Sequence, residues 1–335
     1  MGNISIRRRR PTWDEISDTL TKASTSSIGK RWVALQFSRE MAPNVDVLID
    51  VLRIALTRET STLMRHEIVF AMGQTSSKSV LKDLKRICDD ESEDEVTRHE
   101  AVESIAMIDA RPFRDAFRRF VAKRKELPIL ADTASLALEG LCRLYEGKTS
   151  ENEELPFVPL NLCGCHRSTS SRTNAAAASS SLPVQQKTPF DELTKTLLDR
   201  TETLYDRYEA LFELRDDYPS EATPVICRAL EEDQASACFR HELAFTAGLL
   251  GDVDSERVLI AVLNDRNEHD VVRHEAAISL GSVGTSNAKR VLRRHCKSPR
   301  DMVRESCLAA LAMRPFVLSD ATKASNAFEF KWGAA

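Results

Sequence analysis

Apolar residues recur along this chain at helical spacing. In four segments they fall at i, i+4 and i+7: Ile68 and Met72; Ala101, Ile105 and Ile108; Leu243, Ala247 and Leu250; Ala276, Leu280 and Val283. Such spacing puts each set on one face of a helix, and that face must be covered by a neighbour. Gly251 and Gly284 follow two of the stripes, where a helix C-terminus favours glycine. The sequence shows no β-branched alternation bounded by hairpin turns, so the pattern predicts an all-α chain.

The four segments are copies of one another. Each carries the same tripeptide, Arg65-His66-Glu67, Arg98-His99-Glu100, Arg240-His241-Glu242 and Arg273-His274-Glu275, and within each pair the spacing is 33 residues. The flanking text repeats too, as LKRICDDESEDEVTRHEAVESIAMI (84–108) and AVLNDRNEHDVVRHEAAISLGSVG (261–284) show. Degenerate copies lie one step upstream, at Arg31-Trp32-Val33-Ala34 and Arg207-Tyr208-Glu209-Ala210. Others lie one step downstream, at Ala131-Asp132-Thr133-Ala134 and, slightly out of register, Arg304-Glu305-Ser306. A two-helix unit of this period predicts an α-solenoid of eight HEAT-like helical hairpins, arranged as two four-repeat halves facing each other. Terminal units that lose the consensus read as caps.

The expected boundaries are a basic N-terminal tail over 1–24, an N-terminal half over 25–147, a linker over 148–190, a C-terminal half over 191–314 and a C-terminal tail over 315–335. The Ser/Thr/Ala tract at 168–181 reads as a flexible tether. Cys163-Gly164-Cys165-His166, in the same linker, lacks a partner cluster and reads as no metal site. Met1-Gly2 with Ser5 falls short of a myristoylation signal because Ile6 stands where Ser or Thr is needed, and Arg7–Arg10 read as a solvated basic tail.

Composition narrows the class without naming a chemistry. Among 335 residues, 47 are basic and 51 acidic, for a net charge of −4, so no strong field toward nucleic acid or membrane is built in. No apolar stretch approaches the roughly 20 residues that span a bilayer. Eight scattered cysteines without framework spacing suit a reducing, cytoplasmic setting.

The chemistry lies in the histidines. Of seven, four sit between Arg and Glu at repeat-locked positions, and only the two middle units of each half keep the pair. A purely structural reading, with Glu near a helix N-terminus, explains that restriction poorly. Inner helices of adjacent hairpins pack about 8–10 Å apart, so two pairs can converge on one ion. Each half then offers two imidazoles and up to two carboxylates. Two histidines with one carboxylate are the ligand set of oxygen-activating ferrous sites, and facing halves would permit a dinuclear centre; zinc or a dimanganese hydrolase remains open on the same ligands. Seven residues beyond each histidine come Gly73, Ala106, Gly248 and Gly281. Small residues there fit either a guest on the concave face or close helix packing. Trp32 and Tyr208 are expected to pack in place of histidines, and His269 and His295 to lie at the surface.

Four His-Glu dyads on two sets of four HEAT-like repeats, joined by a variable linker, resemble the deoxyhypusine hydroxylase family over about residues 30–150 and 190–310. The resemblance implies an iron-dependent monooxygenase that uses O2 to complete hypusine from the deoxyhypusine side chain of eukaryotic translation initiation factor 5A. It also implies a pair of Fe(II) ions per chain, while the charge balance and hydropathy lead us to expect neither a nucleic-acid partner nor a membrane. Carried onto matching positions, it gives one iron to His66, His99 and Glu100 and the other to His241, His274 and Glu275. Glu67 and Glu242 complete the metal-binding dyads and are the expected catalytic carboxylates, with Glu242 the candidate to meet a cationic amine. The alternative is a metal-free HEAT-repeat scaffold binding a protein along its concave face.

Overall fold

The computed structural model describes residues 10–22, 25–145, 160, 162 and 187–313, and among these every regular element is helical. Among the described residues sixteen α-helices form eight hairpins, each an outer helix followed by an inner one. The N-terminal half comprises α1 (Trp13–Thr21) with α2 (Ile28–Met41), α3 (Val45–Arg58) with α4 (Thr62–Gly73), α5 (Leu81–Asp89) with α6 (Glu95–Asp109), and α7 (Arg114–Ala122) with α8 (Pro128–Tyr145). The C-terminal half repeats this with α9 (Phe190–Leu198) and α10 (Leu204–Asp217), α11 (Ala222–Glu232) and α12 (Ala237–Leu250), α13 (Glu256–Asn264) and α14 (Asp270–Val283), and α15 (Ser286–His295) and α16 (Asp301–Ala312).

The even-numbered helices stack side by side as the inner layer. α4, α6 and α8 follow one another, as do α12, α14 and α16; α16 packs on α2, and α8 touches α10 and α12. The two halves therefore close on each other at both ends. Position in this ring explains the patterning: α6 is buried from Val96 through Asp109, whereas the outer helices bury only a stripe. Stop and start signals are local. Ser61, Asp94, Ser236 and His269 accept backbone N–H groups at the starts of the four dyad helices, and Gly251 and Gly284 end α12 and α14 with left-handed φ of 64° and 68°.

The repeated arginine has a structural task. Arg98 Nε donates to the carbonyl of Cys88 at 2.9 Å, Arg207 Nε to Leu197 at 3.0 Å and Arg273 Nε to Leu263 at 3.2 Å. Each buried guanidinium thus closes the C-terminus of the outer helix before it, where backbone acceptors lack partners. Acids near the following inner helix balance several of these charges: Arg31 meets Glu59 at 3.0 Å, Arg65 meets Glu93, Arg207 meets Asp233 at 2.7 Å and Arg240 meets Glu268.

Close packing accounts for the small residues beyond the histidines. A Cβ on Gly73 would lie 2.2 Å from Ser104 Oγ, one on Gly248 2.1 Å from Ser279 Oγ, and one on Gly281 2.9 Å from Ala310 Cβ. The glycines admit the neighbouring inner helix, and Gly248 also lines the cleft described below.

Two boundaries differ from the sequence expectation. Part of the 1–24 segment, read as a tail, forms α1, whose Ile16 and Leu20 are buried in the core. Its capping box at Thr12 and Glu15 is a local signal outside the repeat. Within the 148–190 stretch, Leu160 and Leu162 are buried, and Leu160 N donates to the carbonyl of Ala106 at 3.2 Å. Two leucines in polar text give no period by which to find them. Cys163, Cys165, His166, the 168–181 tract and the residues before 10 and after 313 lie outside the described residues.

Candidate metal centre

Repeat-locked spacing delivers the four histidines to equivalent points on α4, α6, α12 and α14, and closure of the ring brings the points together. His66 and His99 stack at 5.7 Å between ring centroids, as do His241 and His274 at 6.0 Å. Across the halves, His66 lies 5.4 Å from His274 and His99 lies 5.8 Å from His241, edge to face. All four are buried, and so are all four dyad glutamates.

Within each half, a carboxylate reaches the histidine of the preceding hairpin. Glu100 Oε2 lies 3.3 Å from His66 Nε2, and Glu275 Oε2 lies 3.6 Å from His241 Nε2 and 3.5 Å from His274 Nε2. Glu67 stands between the halves, 3.1 Å from Nδ1 of its own His66 and 3.7 Å from His274 Nε2. Ser104 Oγ and Ser279 Oγ lie 3.5 and 3.3 Å from the carboxylates of Glu100 and Glu275, one turn away on the same helices, and are nearer to the backbone carbonyls of Val69 and Ala244 at 3.3 and 2.8 Å. His99 Nδ1 meets Thr133 Oγ1 at 3.2 Å, and His274 Nδ1 meets Ser306 Oγ at 3.0 Å. Glu242 lines the cleft above the cluster.

The fit to a metal can be tested on the atoms themselves. Nε2 of His66, His99, His241 and His274 is buried in every case and makes no well-formed hydrogen bond; His99 Nε2 faces no carboxylate, and the other three have only carboxylate oxygens at 3.3–3.7 Å. Leaving a buried polar atom unpaired or poorly paired is unfavourable by up to about 1–3 kcal/mol, so this convergence of imidazole nitrogens and carboxylates calls for a ligand. One donor atom from each of His66, His99 and Glu100 lies within 4.8 Å of the others; the same holds for His241, His274 and Glu275, and for His66, Glu67 and His274. Nitrogen and oxygen donors without a thiolate suit ferrous iron, manganese or zinc rather than a soft metal.

The electrostatics keep most of the imidazoles neutral. Burial pushes His99 and His274 well below the ordinary histidine range, and burial with the nearby His66 takes His241 down to about 3. Burial pulls on His66 as well, but Glu100 and Glu67 outweigh it and raise that group to about 10. Glu275 is raised to about 8 by burial and by the charge of Glu67.

Above the cluster opens a cleft of about 830 Å³, counting the space at its mouth. Its wall carries a row invisible in the motif itself, the residues four beyond each dyad histidine: Phe70, Glu103, Phe245 and Ile278. Phe70 and Phe245 meet edge to face at 6.5 Å, while Glu103 is a buried carboxylate where the other half has Ile278. Trp32 packs as expected but also lines the cleft, and Tyr208 is buried with its hydroxyl donating to the carbonyl of Cys238 at 3.1 Å. His269, the cap of α14, is exposed and His295 is half-buried.

Comparison with known proteins places this geometry. A family model described as HEAT repeats matches residues 234–312. The chain is 31% identical to deoxyhypusine hydroxylase-B of Oryza sativa subsp. japonica, with 82% of each chain covered. It is 32% identical to deoxyhypusine hydroxylase of Arabidopsis thaliana, over 83% of this chain and 81% of that one. The structure of human deoxyhypusine hydroxylase in complex with glycerol superposes with a TM-score of 0.70 at 24% identity, covering 89% of this chain and 94% of that one, and so shares the fold.

Proposed function

The chain belongs to the deoxyhypusine hydroxylase family, and on that premise we propose that it is a cytoplasmic, iron-dependent monooxygenase hydroxylating the deoxyhypusine side chain of eukaryotic translation initiation factor 5A. The observation that carries the metal part of this reading is the convergence of four buried imidazole Nε2 atoms, none in a well-formed hydrogen bond, with Glu100 and Glu275. We assign one ferrous ion to His66, His99 and Glu100 and a second to His241, His274 and Glu275. Bound there, the ions supply the redox chemistry that lets O2 oxidise a C–H bond; one oxygen atom enters the substrate and the other leaves as water, with two electrons from an external reductant.

The chain's own residues bind, orient and exclude water. The substrate side chain is a long aliphatic amine with positive charge. Glu242, buried in the cleft wall, meets the cationic nitrogen, and Glu103 adds charge of the same sign along the wall. Phe70, Phe245 and Ile278 cover the aliphatic stem at the mouth. Glu67, between the halves, is placed to move a proton at its carboxylate oxygen. Replacing Glu242 with Gln is expected to raise KM for the substrate protein about tenfold or more, with iron content unchanged.

The test is turnover by the iron-loaded full chain on deoxyhypusine-bearing factor 5A with O2 and a reductant, followed by intact mass. The expected result is a gain of one oxygen atom that depends on iron. An unchanged substrate mass with folded, iron-loaded protein, or an equal gain without iron, overturns the reading.

A further inference from the structure

His99 and His274 each face a hydroxyl from the next inner helix: Thr133 Oγ1 on α8 and Ser306 Oγ on α16. Thr133 and Ser306 occupy the repeat position that holds Glu100 and Glu275 in the middle hairpins. Each hydroxyl has a single proton, and each has an acceptor for it other than the imidazole. Ser306 donates to the carbonyl of Met302 at 2.7 Å, and Thr133 has the carbonyl of Ile129 at 3.1 Å and Cys238 Sγ at 3.4 Å. The oxygen is then left to accept, so the donor in each contact is imidazole Nδ1–H. A neutral imidazole protonated at Nδ1 carries its lone pair on Nε2, and Nε2 of both rings is buried, in no well-formed hydrogen bond and directed into the cluster.

The residue before each hydroxyl is tied to a serine of the other half of the molecule. Ser236, which caps α12, donates to Asp132 Oδ2 at 2.7 Å, and Ser61, which caps α4, donates to Glu305 Oε2 at 2.5 Å. Asp132 and Glu305 stand where the middle hairpins have histidine. The same two-residue device therefore occurs twice, at the two ends of the ring: an acid tied across the seam and a hydroxyl behind an imidazole.

We propose that Thr133 and Ser306 are positioning residues for the metal centre, each fixing the tautomer and ring orientation of one histidine so that Nε2 is presented as a ligand. The inference rests on the metal reading above and adds two residues to it. Outer hydrogen-bond partners of metal-binding imidazoles typically change affinity by about 10- to 100-fold when removed.

The experiment measures anaerobic Fe(II) affinity of the full chain by competition with a ferrous chelator, for the natural protein and for Ser306→Ala, Ser306→Thr, Thr133→Val and Thr133→Ser. Removing the hydroxyl is expected to weaken binding at one of the sites about 10- to 100-fold and to alter the visible bands of the Co(II)-loaded protein, while Ser306→Thr and Thr133→Ser restore both. Wild-type affinity in Ser306→Ala, or failure of Ser306→Thr to restore what Ser306→Ala loses, overturns the proposal. If Thr133→Val does not fold, the Ser306 pair decides alone. Absence of Fe(II) binding by the natural protein removes the metal reading together with this one, whereas normal binding with an indifferent Ser306→Ala removes this one alone.

Discussion

Arg98 shows how one residue type carries two levels of organisation. Its guanidinium is buried, bonded to the end of α5 and stacked over Phe120 at 5.9 Å. Truncation to Ala leaves the Cys88 carbonyl without that partner, and a loss of about 1–3 kcal/mol is expected in urea denaturation of the metal-free protein; a change within experimental error would show the carbonyl satisfied otherwise. Proton linkage gives a second expectation at this scale. Glu275, raised to about 8, and His66, raised to about 10, both hold protons at neutral pH in the metal-free cluster. A metal must displace them, so ferrous affinity should rise as pH rises from about 6 to 8, with proton release seen as buffer-dependent binding heat in calorimetry. A pH-independent affinity would contradict this. The dyads are legible in the sequence because repetition locks them. Thr133 and Ser306 are not, since a lost dyad reads as a cap until the hydroxyl is seen facing the preceding histidine.

At the scale of the helix, glycine is spent on contact between neighbours. Gly248 lets α14 approach until Ser279 Oγ reaches the Ala244 carbonyl at 2.8 Å and the Glu275 carboxylate at 3.3 Å. Gly248→Ala must push Ser279 aside, and overpacking of this kind destabilises by about 1–3 kcal/mol. Urea denaturation should show that loss, together with weaker metal retention through Glu275; a neutral Gly248→Ala would mean that α12 and α14 are free to separate. The apolar stripes and the C-caps at Gly251 and Gly284 are legible because they are periodic and local. α1 and the buried Leu160 escape the pattern because one is a short helix outside the repeat and the other an isolated side chain in polar text.

The described residues form a ring of eight hairpins, and the histidine–glutamate cluster exists only because it closes. α2 packs on α16 at one seam, where a Cβ on Gly29 would lie 2.8 Å from Ala312 Cβ; Asp132 with Ser236 and Glu305 with Ser61 clasp the two seams. Gly29→Leu is expected to wedge the seam open, enlarging the radius of gyration in X-ray scattering and lowering iron retention while helicity persists. An unchanged radius with full iron retention would show that the seam accommodates the side chain. Closure joins residues nearly the whole chain apart, so the repeat predicts two halves but not the contacts that seal them. No helix among the described residues is long and apolar enough to cross a membrane. The most direct test of the four-histidine centre is the iron content of the anaerobically loaded, gel-filtered full chain beside that of His99→Ala. About two ions per natural chain are expected, falling to roughly one or fewer in the variant. A folded natural chain that retains no iron, or a His99→Ala protein as iron-replete as the natural one, would contradict the assignment.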